Sequence, residues 1–72
     1  MWVLSIDLME KGRKLGNILR AWPEVAPEIG EVVVVKPSQN QVVVRLGRYR
    51  LVWIDQFYNG RADATAEWVE AG

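Results

Sequence analysis

The 72-residue chain has no cysteine and no histidine. Without cysteine no disulfide can staple the domain, and without either residue the usual ligands of a zinc site are missing. The same two absences remove the commonest general base and the strongest side-chain nucleophile. Apart from the tyrosines, hydroxyl candidates reduce to Ser5, Ser38 and Thr65. Ser5 falls in a predicted strand, and Ser38 in a turn with no base nearby. Gly12 and Gly16 precede no Lys-Ser/Thr signature that would cradle a phosphate. The nine acids are scattered: a carboxylate pair can be drawn only formally among Asp7, Glu10, Asp55 and Asp63, and no EF-hand pattern is present. The expectation is a non-enzyme with no catalytic residue, no metal and no cofactor.

Charge of one sign is also lacking. Nine basic residues balance nine acidic ones, which argues against general attraction to nucleic acid or a membrane surface. No apolar run approaches the roughly 20 residues of a membrane span. Met1 to Leu8 is apolar but has no basic flank, so it does not read as a signal peptide. A cytoplasmic location is the default expectation.

What is present is large side chains and valine. Residues 1–72 are expected to form a single domain, and a chain of this size buries only about 60% of the surface its unfolded form exposes. Four tryptophans, Trp2, Trp22, Trp53 and Trp68, can each bury roughly 150–250 Å². Trp53 and Trp2 are the expected core members.

Trp2, Leu4, Ile6 and Leu8 alternate with Val3, Ser5 and Asp7, which predicts a strand over 2–8. Leu8, Leu15, Ile18, Leu19 and Trp22 then fall on one helical face, and Asp7 with Glu10 resembles a capping box. This spacing favours a helix over about 9–21, although Gly12 and Gly16 each cost about 1 kcal/mol in a helix interior. The competing reading is a turn at Lys11-Gly12-Arg13 and a strand from Leu15 to Ala21. Pro23 to Gly30 is a loop. Glu31–Lys36, Val42–Leu46 and Tyr49–Ile54 read as three strands of an antiparallel meander over about 31–54, the first two forming a hairpin. Asn59-Gly60 is a strong turn signal. The alanine-rich tail Arg61–Glu70 suits a short C-terminal helix, with an edge strand as the alternative.

These elements give an α+β fold. The stretch from Gly30 to Phe57 has the rhythm of a small SH3-like β-barrel, which is the alternative. Val32–Val35 and Val42–Val44 do not alternate, as expected where both faces of a sheet are covered. So short a chain has little mass to cover them, and an apolar contact surface is expected.

Two binding classes follow. Interface cores are enriched in tryptophan, tyrosine and arginine. The favoured expectation is a protein–protein interaction module, such as a small regulator or inhibitor of a larger machine or an assembly subunit, with a homodimer as one form. Its partner-binding residues are Arg48, Tyr49, Arg50, Phe57 and Tyr58. The alternative is a nucleic-acid-binding domain using an Arg45/Arg48/Arg50 sheet face. Against it, the basic segment 32–54 is followed by four acids and one base in 55–72. A continuous strand places Arg48 and Arg50 on one face and Tyr49 on the other.

Overall fold

The first twenty-two residues fold back on themselves as a hairpin. In the computed structural model, which describes residues 1–37, 43 and 45–71, β1 spans Trp2–Glu10 and β2 spans Arg13–Trp22. Lys11 and Gly12, at φ 50° and 77°, form the two-residue left-handed turn that joins them. The helix expected over 9–21 is therefore absent, and the turn-and-strand reading holds. The reason lies in one residue. Leu8 pairs with Gly16 and Met9 with Lys14, which leaves Leu15 as an extra residue bulged out of the ladder. The bulge shifts the parity of β2, so Leu15 and Ile18 both point into the core. Two core residues three apart imitate the spacing of a helix.

The C-terminal helix is also replaced by a strand. β3 (Val32–Val35), β4 (Gly47–Ile54) and β5 (Arg61–Glu70) join β1 and β2 in one sheet of order β2-β1-β5-β4-β3. No helix occurs among the described residues. The α+β expectation is thus corrected to an all-β fold, a curled half-barrel, and the small-barrel alternative fits it. β1 and β5 run parallel, while every other neighbouring pair is antiparallel. Alanine is a weak strand former, but β5 lies at the centre of the sheet, where context overrides propensity. Its inward residues Ala64 and Ala66 are buried between the leucine-rich face of β1 and Tyr49 and Leu51 of β4. Small side chains suit the middle of a concave surface.

The hairpin expected between Glu31–Lys36 and Val42–Leu46 falls partly outside the described residues. β3 pairs with β4, Val32 opposite Arg50 and Val35 opposite Gly47. Val42 and Val44 lie outside the described residues, and Val43 makes an isolated bridge to Gly16. Within β3, Val33 and Val35 are buried, Val34 is half-buried and Val32 is exposed.

Among the described residues, eleven buried apolar side chains form the core, including Leu4, Ile6 and Leu8 of β1 with Tyr49 and Leu51 of β4. Each large aliphatic side chain buried there contributes roughly 1.5–3 kcal/mol. Edge-to-face aromatic pairs stand at the two ends of this core: Trp2 with Phe57 at 5.0 Å and Tyr49 with Trp68 at 5.4 Å. Trp53 is not in the core. Leu51 pairs with Ala66 and Trp53 with Thr65, so Val52 is a second bulged residue that turns Trp53 outward, where it is 48% exposed.

Among the described residues no ladder joins β2 to β3. Side chains span the seam instead: the Arg20 guanidinium donates to the Val34 carbonyl at 2.9 Å, and the Trp22 indole to Glu31 at 3.0 Å. A second tie involves Arg45, which pairs with Glu10 and lies 3.8 Å over the Trp68 ring. That ring packs against Gly47, whose φ is 152°. A Cβ there would come 2.5 Å from the Glu70 carbonyl and 2.7 Å from the Trp68 ring. Gly12, at φ 77°, faces open space.

Chemical denaturation should separate these two glycines. Gly12→Ala should lose about 1 kcal/mol, from backbone strain alone. Gly47→Ala adds a collision and should lose about 2–4 kcal/mol. Equal losses would mean that the Gly47–Trp68 contact is not limiting. The same assay should show Tyr49→Ala losing about 3–5 kcal/mol and Trp53→Ala about 1 kcal/mol or less.

Candidate functional site

The convex side of the sheet carries the side chains that the core does not use. Strand register arranges them in rows. Leu19 of β2, Ser5 of β1 and Asp63 of β5 form one row, with Asp55 beside Asp63 through the Asp55 N–H to Asp63 carbonyl hydrogen bond of 2.8 Å. The next row holds Ala21, Val3, Arg61 and Tyr58. Tyr58 and Arg61 close a tight hairpin through reciprocal backbone bonds of 2.8 and 3.0 Å. Asn59 and Gly60 between them have φ of 51° and 75°, the left-handed pair that the Asn-Gly sequence favours. This hairpin overhangs the sheet and leaves a groove of roughly 570 Å³. Val3 and Ser5 line it from β1, Leu19 from β2 and Tyr58 from the overhang. Leu19 is 66% exposed and Tyr58 80%.

A polar ladder adjoins the groove. The Asn17 amide donates to Asp7 at 2.9 Å and to the Ser5 hydroxyl at 3.1 Å, and Lys14 lies 3.2 Å from Asp7. The Asn17 hydrogen bond holds the Asp7 carboxyl below its ordinary value; partial burial opposes this, and Lys14 reinforces it. These contacts fix the rotamers on one side of the groove. The groove offers apolar walls, carboxylates at Asp55 and Asp63, and a guanidinium at Arg61. Among the described residues no three acidic side chains converge as a metal site.

No family model, curated protein or solved structure matches this chain.

The five residues expected to bind a partner are dispersed. Arg48 and Arg50 are exposed on the convex face of β4, opposite Glu70 and Glu67 of β5. Tyr49 is fully buried, and its hydroxyl donates to the Arg45 carbonyl at 2.5 Å. Phe57 is half-buried against Trp2. Tyr58 is exposed, but it stands opposite Arg61, nine residues along β5 from the position opposite Arg48. At ~3.3 Å per residue that is roughly 30 Å. Arg45, the third member of the arginine face, is held by Glu10 and Trp68.

Sequence reasoning missed Leu19, Arg61 and the groove itself. The signal was present in the strand reading of 15–21, where Asn17, Leu19 and Ala21 alternate away from Ile18. An exposed leucine in a polar row then stands out. Asp55 and Asp63, named only as formal carboxylate candidates, do lie side by side across the ladder.

Burial, and secondarily the Glu10 carboxylate, raise the Tyr49 phenol above its ordinary 10.0, while Arg45 pulls it back. The folded protein therefore holds this proton more tightly than the unfolded chain. The associated stability is whole below about pH 10 and is lost as pH rises through the folded value. Tyr49→Phe should lower stability at neutral pH by about 1 kcal/mol through the missing hydrogen bond. It should also flatten the alkaline decline measured by denaturant titration. An unchanged alkaline slope in Tyr49→Phe would assign that decline to other groups.

Proposed function

We propose that this protein is a non-enzymatic protein-binding module that engages its partner through the convex-face groove between Leu19 and Tyr58. The observation that carries this reading is the pair of exposed apolar walls. Leu19 and Tyr58 stand on either side of a groove lined by Val3 and Ser5, with Asp55, Arg61 and Asp63 beside them. An apolar centre with a charged rim is the composition of a recognition surface. Tyrosine adds contact area at low entropic cost and is frequent among energetically dominant interface residues. The polar ladder of Ser5, Asn17 and Asp7 keeps one side of the groove ordered before binding.

The nucleic-acid alternative draws less support. Of its three arginines, Arg45 is occupied, and Arg48 and Arg50 stand opposite acids. Phosphate recognition needs a basic excess that neither this face nor the whole chain offers.

A photoreactive benzophenone side chain at position 58, introduced in the native host, tests the reading. Irradiation should give a discrete crosslinked polypeptide, and Leu19→Asp in the same chain should abolish it. The same probe at the exposed loop residue Val25 should give none. Equal adducts from both positions, or none from position 58, would remove the groove as the contact surface.

A further inference from the structure

We infer that the groove receives an arginine-bearing extended segment of the partner protein. Asp55 and Asp63 hold the guanidinium, and an apolar residue two positions away along the segment sits between Leu19 and Tyr58. This rests on the protein-binding reading above and names the chemistry of the partner. Sheet register puts the two carboxylates together. Trp53 pairs with Thr65 and Ile54 with Ala64, so Asp55 stands directly opposite Asp63, tied by the 2.8 Å N–H to carbonyl bond. Ala64 is buried on the concave side, so Asp55 and Asp63 both point to the convex side, where both are exposed. Like charges directly opposite on a ladder repel each other. Asp7, the next acid on this face, has Lys14 3.2 Å away. Asp55 and Asp63 have no such cation: among the described residues the ion pairs within 4.0 Å are Lys14–Asp7 and Arg45–Glu10. Arg61, two positions from Asp63 on the same face of β5, belongs to neither pair. One Asp55 oxygen accepts the Gln56 N–H at 2.8 Å, which orients that carboxylate before any ligand arrives. The groove thus ends in two unneutralised carboxylates that a cation from outside complements.

Three features select arginine among cations. Directly opposed residues have Cβ atoms roughly 5 Å apart. A planar guanidinium with five donors serves two carboxylates at that spacing at once, with paired bonds that a point-like ammonium does not form. Exposed aromatic rings also flank the acids. The Val52 bulge turns Trp53 outward, opposite Thr65 and two residues from Asp55 on the same face, and Tyr58 follows Asp55 by three residues. Guanidinium groups stack on such rings. The third feature is spacing. Leu19, Ser5, Asp63 and Asp55 form one row across four strands. With strands about 4.8 Å apart, the acid pair is roughly 12 Å from Leu19. Side chains two apart on an extended segment share a face and stand roughly 7 Å apart, and the long arginine side chain covers the rest. Arg61 then faces the carbonyl oxygens of the segment. A nucleic acid or an anionic membrane would be repelled by the same two carboxylates.

Amide chemical-shift titration of the full chain with synthetic peptides tests the inference. The probe is acetyl-Gly-Leu-Ala-Arg-Gly-amide; in the controls citrulline, an uncharged isostere, or lysine replaces the arginine. The arginine peptide should shift the amides of Ser5, Leu19, Asp55 and Asp63 saturably, with a dissociation constant on the order of 1 mM. Citrulline should weaken binding about tenfold or more, and lysine about threefold. Asp55→Asn and Asp63→Asn should each weaken the arginine peptide about threefold or more without lowering the denaturation midpoint, because each also removes a like-charge contact. Glu67→Gln, on the same face of β5 but opposite Arg50, should change the affinity less than about twofold. The citrulline comparison uses the wild-type chain and so stands whatever the aspartate substitutions do to folding. Equal affinity for the arginine and citrulline peptides would overturn the inference, as would the absence of saturable shifts up to about 10 mM. An effect of Glu67→Gln as large as that of Asp63→Asn would do the same. Lysine binding as tightly as arginine would overturn the choice of a guanidinium. If position 58 crosslinks a partner while the arginine peptide shows no preference, the groove reading stands and the arginine assignment falls. Failure of both experiments overturns the groove reading itself.

Discussion

The parallel ladder between β1 and β5 is the constraint on which the rest of this structure depends. It joins Val3–Met9 to Arg61–Glu67, near opposite ends of the sequence, and the Val3 N–H begins it by donating to the Gly60 carbonyl at 2.8 Å. On one side of this ladder stands the β1–β2 hairpin, on the other β4 with β3. Neither part can enclose a core by itself. Leu4, Ile6 and Leu8 of the hairpin become fully buried only with Ala64, Ala66, Tyr49 and Leu51 in place around them. The convex groove has the same origin, since its two rows run across β2, β1 and β5. Core and candidate site are therefore two faces of one junction.

Curl converts this sheet from a plate into a container. An open sheet leaves a row of unpaired backbone groups at each edge, a liability that proteins cover in various ways. Here the bulged residues Leu15 and Val52 accompany the bending, and the two edges turn toward one another. Arg20 reaches from the concave side of β2 to Val34 of β3, where it satisfies a carbonyl that would otherwise face solvent, and Trp22 reaches Glu31 just before that strand. Lys36 and Pro37 follow β3 directly, and proline cannot donate to a further ladder. At the far end of the core, the stack of Arg45 on Trp68 combines packing with a charge contact to Glu10. Large aromatic side chains here supply what a core of eleven buried residues, two of them alanine, lacks in bulk.

Where the chain alternates without interruption, the strands were legible in the sequence: β1 from Trp2 to Leu8, and the first part of β4 through Tyr49 and Leu51. The same alternation already separated Tyr49 from Arg48 and Arg50, and grouping the three as one contact surface set that signal aside. Two of the failures share a cause. A single bulged residue changes which face every later residue occupies. Leu15 made β2 look helical, and Val52 moved Trp53 from an expected core position to the surface. Nothing local marks a bulge whose extra residue is an ordinary leucine or valine. β5 was misjudged because intrinsic propensity speaks for an isolated segment, whereas a central strand is stabilised by neighbours on both sides. The groove was illegible because its rows come from three strands whose adjacency only the tertiary fold defines.

Pairing between sequence-distant strands also dictates an order of events as the chain is made. The β1–β2 hairpin is local and can form on a microsecond scale as soon as its residues are free. Its second edge must then wait for β5, the last strand to emerge. Until that strand arrives, three leucine and isoleucine side chains and the backbone groups of β1 that face β5 remain uncovered, the kind of exposure that invites association between nascent chains. Topologies of this type fold slowly for their size. Arrest of translation anywhere before Arg61 leaves a hairpin whose missing neighbour any compatible strand can replace.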